Sequence, residues 1–179
     1  MKYSSTQSTN VNSINWNNSL LKSTYSTSYQ TAEYLTSDLE SITPIFIHVV
    51  NTNDEIVGQL GLRIIDSTVM YSSPLFKRYS KIISNIAKRI IWVHGPIIHS
   101  KNIEERKNIL TEILKEVNQV AEKYDVVYIE GQTSPCDFLV DEDYKKIFSD
   151  NGYTKFNSKS FLADLDLTLD ELWSNVSKK

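Results

Sequence analysis

RIIWVHGPIIHSKNIEERKNILTEILKEVNQVAEKYDVVYIEG, residues 89–131, reads as three elements in a row. The apolar run Ile90–Val93 is strand-like and stops at the turn pair Gly95-Pro96. Asn102 and Glu105 then stand three apart, the spacing of a helix-capping box. Beyond them Ile109, Leu110, Ile113, Leu114, Val117, Val120 and Ala121 recur at the 3.6-residue period of one helix face. DVVYIEG, residues 125–131, is a short apolar run closed by glycine and reads as a buried strand. A strand, a long helix and a second strand make a crossover, which in a parallel sheet is right-handed.

Upstream, PIFIHVV and EIVGQLGLRII are β-rich runs separated by Asn51-Thr52-Asn53-Asp54, the signature of a hairpin. Joined to the crossover, the hairpin makes the sheet mixed. Gly58 and Gly61 interrupt its second strand and mark a bulge or a close backbone approach. Ser73-Pro74 opens a further helix with Leu75, Phe76, Tyr79, Ile82, Ile83, Ile86 and Ala87 at helical spacing. Downstream, EDYKKIFSDNG is a helix closed by Gly152, SFLADLDL a strand, and Thr168 with Glu171 opens a last helix whose Leu169, Leu172, Trp173 and Val176 share a face. Trp16, Leu20 and Leu21 imply a short first helix and Thr31–Leu39 a second. Residues 1–13, rich in Ser, Thr and Asn, are expected to be disordered. The fold class is therefore α/β: one domain over residues 14–167, a mixed sheet flanked by helices, with a helix starting in residues 168–179.

A chain of 179 residues suits one globular domain. Hydrophobic residues are 40% and charged residues 23%, ordinary for a water-soluble domain, and no run approaches the roughly 18 apolar residues of a membrane span. The opening MKYSSTQSTN lacks the apolar core of a secretory signal, and the single Cys136 has no partner for an internal disulfide. A reducing, cytoplasmic setting is expected.

The net charge is -3, but no Asp or Glu occurs from Ser67 to Ile103, where Lys77, Arg78, Lys81, Lys88, Arg89 and Lys101 all lie. The five from Lys77 to Arg89 are candidates for binding a polyanion, and equally read as a solvated helix face beside acidic neighbours. His94 and His99 flank the proline turn with no cysteine or carboxylate cluster beside them, so no metal site is expected. Either imidazole could take a proton from an amine; His94 also reads as a strand-end residue bonded to a backbone carbonyl. Glu130, at a strand's carboxyl end, stands where open sheets hold ligands, or is a surface carboxylate. Cys136, with no flanking histidine, reads as an unreactive thiol, and Tyr34, Phe148 and Trp173 as packing residues.

The order of elements resembles that of GNAT-type acyltransferases. Their pyrophosphate-binding loop has the form Gln/Arg-x-x-Gly-x-Gly/Ala; HGPIIHS here keeps one glycine, adds a proline and inserts two isoleucines, which argues against a conventional CoA site. The chain more closely resembles the FemAB-like family, which builds the interpeptide bridges of peptidoglycan. SYQTAEYL is similar to that family's aromatic-Gln-Ser-x-x-Trp segment, VHGPII to its Arg-Gly-Pro-hydrophobic strand end, and LADLDLTLDELWSNVSKK to the passage that ends its first GNAT-like half. The resemblance implies a GNAT-like fold and aminoacyl or peptidyl transfer to an amine, in a cytoplasmic step of cell-wall biosynthesis. It implies substrate contacts at Tyr29, Gln30, Tyr34, His94, Gly95 and Pro96, with His94 and Glu130 as candidates for catalysis. The implied donor is aminoacyl-tRNA, the acceptor a cell-wall precursor amine, and no cofactor is expected. On this reading the chain is a first half, its last helix a connector to a second GNAT-like half that is missing here. The rivals are a stand-alone acyl-CoA N-acyltransferase and a non-catalytic binding module.

Overall fold

The computed structural model describes residues 3–37, 42–66, 88–134 and 142–156. The expected helix after Ser73-Pro74 with Lys77, Arg78 and Lys81, the loop cysteine Cys136, and the expected strand and connector helix from Phe161 to Lys179 lie outside them.

The described strands form one mixed sheet in the order β1 (Tyr3–Ser8), β2 (Ile42–Asn51), β3 (Ile56–Asp66), β4 (Lys88–Trp92) and β6 (Tyr128–Gly131), with the short β5 (Ile97–Ile98) paired to β3. The expected hairpin is β2–β3, antiparallel from Ile42↔Ile65 to Val50↔Ile56. β4 and β6 are the parallel pair of the crossover, Arg89↔Tyr128 through Trp92↔Gly131. Between them runs α3 (Ile103–Lys123), capped where Asn102 accepts from the Glu105 N–H. All six of its branched apolar face residues, Ile109, Leu110, Ile113, Leu114, Val117 and Val120, are buried.

Side-chain alternation sorts the sheet into two faces. Ile45, Ile47, Val49, Leu60, Leu62, Ile64, Ile90 and Trp92 pack with α3 and with Tyr144 of α4 (Glu142–Asp150). Phe46 and Ile97 point the other way, onto Trp16 and Leu20 of α1 (Ser13–Leu20) and Ala32 and Leu35 of α2 (Ala32–Thr36). Both glycines of β3 are sites of close approach: a Cβ on Gly58 would overlap Ile109, and one on Gly61 would overlap Leu35. The β2–β3 register also shifts beside Gly58, between Val49 and Val50, so bulge and approach coincide there. α4 ends in a Schellman turn: Gly152, at φ 82, donates to Ser149 O, Tyr153 N–H donates to Phe148 O, and the two rings pack at 5.5 Å.

Three expectations need correction. The segment expected to be disordered, residues 1–13, contains β1, which pairs with β2 from Tyr3↔Asn51 to Ser8↔Phe46. Only Tyr3 of its inward residues packs on the core, so no apolar period announced it; Ser5 Oγ and Gln7 Nε2 donate instead to the buried Glu116 of α3 at 2.7 and 3.2 Å. Lys88 and Arg89 do not extend a basic helix face but open β4, half-buried and paired with β3 and β6. Finally, β6 is not a buried strand: Val127 before it and Tyr128 within it are 62% and 57% exposed, and among the described residues it pairs only with β4.

Candidate active site

The centre of the sheet is interrupted at the end of β4. β3 and β4 pair with Arg63 opposite Ile91, a register that would set Gln59 against Gly95; Gln59 instead faces Ile97 of β5. Two extra residues are therefore accommodated between Trp92 and Ile97; Val93 and His94 are the partly exposed pair there, and His94 takes φ 53, a conformation unusual for a non-glycine residue. The bulge falls at the carboxyl ends of parallel β4 and β6, where open α/β sheets place ligands.

Gln30 fills the interruption. Fully buried, it donates from Nε2 to Gly61 O at 3.2 Å and Val93 O at 2.7 Å, and accepts from Gly61 N–H at 2.7 Å. Its amide replaces the ladder rung that β3 and β4 no longer make. On the other side Gly95 N–H donates to Gln132 O and Gln132 N–H to Trp92 O, tying the bulge to the strand end of β6. The Trp92 indole donates to Gly95 O at 3.1 Å and lies close against Gly131, where a Cβ would overlap the ring. A Cβ on Gly95 would come within 2.7 Å of Leu60, so this glycine is a packing requirement.

The six residues that the resemblance assigned to substrate divide accordingly. Gln30, Gly95 and Pro96 are buried and shape the site from behind. Tyr29, Tyr34 and His94 reach its surface as a row of rings: Tyr29 meets Tyr34 and His94 edge-on, each at 5.0 Å between centroids. Partial burial pushes the His94 imidazole below its ordinary pKa, which favours the neutral form that can accept a proton. Its Nδ1 has no partner, contrary to the expectation of a carbonyl bond. Glu130 is exposed on β6 opposite Ile91, which in turn lies opposite Arg63, so both charged residues share the sheet face of the ring row. Arg63 had no sequence signal beyond a charge in an apolar strand; its guanidinium sits 4.0 Å above the Tyr34 ring.

His99 lies apart from His94. Its Nε2 is 3.3 Å from Ser19 Oγ, and burial together with nearby Lys22 holds its pKa down to about 4. Around it the segment entering α3 is clamped. Tyr25 Oη accepts from Ile98 N–H and from Arg106 Nη1 and donates to Ile98 O, while Arg106 Nη1 also reaches Ser100 O. His99 N–H donates to Val57 O and Asn102 N–H to Ser100 Oγ. Of the amides at this helix start, those of Ile98, His99, Asn102 and Glu105 are bonded within the chain. Among the described residues no cluster of three His, Cys, Asp or Glu side chains could hold a metal, and no helix is long and apolar enough to cross a membrane.

No protein-family profile matches the chain, and no curated protein does. Among solved structures it is similar to a probable acetyltransferase, at 14% identity over 68% of each chain with a TM-score of 0.41. It is also similar to the aminoglycoside 6'-N-acetyltransferase AAC(6')-Ih of Acinetobacter baumannii, at 8% identity over 68% of this chain and 69% of that one, TM-score 0.41.

Proposed function

We propose that the chain is an N-acyltransferase domain of the FemAB-like kind, with the acyl carbonyl received at the Val93–His94 bulge. The observation that carries this reading is the partly buried imidazole of His94, its Nδ1 without a partner, held by a two-residue bulge at the carboxyl ends of two parallel strands. An amine attacking an activated ester needs alignment and the loss of one proton more than covalent help. The amine nitrogen bonds to the acyl carbon, the ester C–O bond breaks, and the amine proton passes through His94 to the departing oxygen. The ring row of Tyr29 and Tyr34 is the surface against which the acceptor lies.

An aminoacyl ester, such as aminoacyl-tRNA, is the donor this arrangement favours over acyl-CoA. Support comes from the entry to α3, where the Ile98, His99, Asn102 and Glu105 amides are all bonded within the chain. A cell-wall precursor amine is the acceptor proposed. The test incubates the purified full chain with lysine-bearing peptides and either aminoacyl-tRNA or acetyl-CoA, and follows amide formation by mass spectrometry. Product from the aminoacyl ester is expected. Product from acetyl-CoA alone would make the chain an acyl-CoA enzyme, and product from neither donor would leave it a binding module.

A further inference from the structure

We propose that Arg63 is an oxyanion anchor of this site, holding a carboxylate or phosphate group of the acceptor while its amine meets the bulge. This deepens the acyltransfer reading and rests on it for the word acceptor, though not for the anion site itself. Arg63 is half-buried on β3, on the same face as Gly61, where Gln30 closes the sheet. Its guanidinium is held by uncharged groups: Cζ stands 4.0 Å from the Tyr34 ring centroid, and Nη2 donates to Ser37 Oγ at 2.8 Å. The Nε–H is buried without an acceptor, and no carboxylate among the described residues forms an ion pair with this side chain. Glu130, two strands over on the same face, forms no ion pair among the described residues.

A half-buried guanidinium without a counter-charge is costly, and an unpaired buried N–H adds to the cost. An oxyanion supplied by a ligand removes both penalties. The stacked face and the Ser37 bond fix the plane of the fork, so a planar or tetrahedral oxyanion meets a preoriented pair of donors. Arg89, opposite Ile65, places a second guanidinium on that face two positions along. From Arg63 the contacts run through Tyr34 and Tyr29 to His94, so an acceptor anchored by its anion would lie along the rings with its far end at the imidazole.

The test is a titration of the full chain with sodium acetate and with inorganic phosphate, sodium chloride of matched ionic strength serving as control, while NMR follows the Arg63 Nε–H resonance. That resonance is assigned by its loss in Arg63→Lys. A saturable shift with acetate or phosphate and none with chloride is expected, with affinity weakened at least tenfold when Arg63→Gln is followed through the Ser37 amide; the tighter of the two anions names the group. Arg63→Lys, which keeps the charge, should retain part of the affinity and guards against a misfolded Gln variant. No saturable shift with either anion, or equal affinity in Arg63→Gln, overturns the proposal. In the transfer assay Arg63→Lys should raise KM for carboxylate-bearing acceptors and spare their amidated counterparts. Anion binding without acyl transfer would sink the function and leave the anchor, whereas transfer without anion binding would do the reverse.

Discussion

Gln30 and Gly61 exchange two hydrogen bonds across a gap in the sheet, Gly61 N–H to Oε1 at 2.7 Å and Nε2 to Gly61 O at 3.2 Å. A side chain from the short turn before α2 thus does what a strand backbone does elsewhere. With Val93 O bound to the same Nε2, the bulge that presents His94 is held from behind by one residue.

Replacing Gln30 with Ala would leave one buried N–H and two carbonyls without their partner, and should cost about 2–4 kcal/mol. Gln30→Glu keeps the acceptor for Gly61 but sets a carboxylate against two carbonyl oxygens, so it should be no better. Urea denaturation of both variants checks this. A loss under about 0.5 kcal/mol, the range of an ordinary surface substitution, would show that the bridge is dispensable.

Gly61→Ala should destabilise by about 1–3 kcal/mol through overpacking against Leu35. Leu35→Ala alone should also destabilise, by leaving a cavity, yet the double variant should be more stable than the two losses added together. A double-mutant cycle reads the coupling directly. Strict additivity would mean that Leu35 moves aside freely.

Glu116→Ala removes the acceptor of Ser5 and Gln7 and should cost about 1–2 kcal/mol. The damage should be local. Amide hydrogen exchange should speed up across Tyr3–Ser8 while the centre of α3 stays protected. Rapid exchange of those amides already in the unmodified chain would restore the expectation of a disordered N-terminus.

His99 makes stability depend on pH. Its folded-state pKa of about 4 lies below the ordinary value of 6.5, so as pH falls through that window the unfolded chain takes up a proton that the folded chain refuses. Stability is unaffected above about pH 6.5, declines toward pH 4 and then levels for this group; allowing for the partial exposure of the ring, the loss is on the order of 1–2 kcal/mol. Partly buried His48, also lowered by desolvation, acts in the same direction, so the informative quantity is the difference between the unmodified chain and His99→Gln. The variant should show the shallower slope. Equal slopes would mean that His99 is not buried as a neutral ring.

Long-period apolar patterns made the central architecture legible. The face of α3 announced itself because one stripe of it is buried, and the hairpin because its strands, covered on both faces, read as apolar runs either side of a polar turn. Two kinds of feature stayed hidden. β1 satisfies its inward side with Ser5 and Gln7 against Glu116, a pairing of polar residues over 100 positions apart that no local window can reveal. Gln30 and Arg63 likewise take their meaning from partners on other elements: a glutamine amide completing a ladder, and a guanidinium resting on Tyr34. The resemblance found Gln30 but gave it to the substrate; its burial gives it to the backbone. Tyr29, Tyr34 and His94, drawn from two distant motifs, do come together, and that juxtaposition lay within reach of the sequence only through the family likeness.

The central claim is that amine acylation takes place at the bulge with His94 as the base, and it is tested most directly by kcat/KM for acyl transfer as a function of pH in the unmodified chain and in His94→Ala. Because burial lowers the His94 pKa, the unmodified chain should hold its plateau at pH 7 and lose activity only below about pH 6.5. The variant, melting at an unchanged temperature, should be slower by roughly 10²–10⁴-fold and lack that acid limb. A folded His94→Ala protein that transfers acyl groups at the unmodified rate, with the same pH profile, would contradict the account.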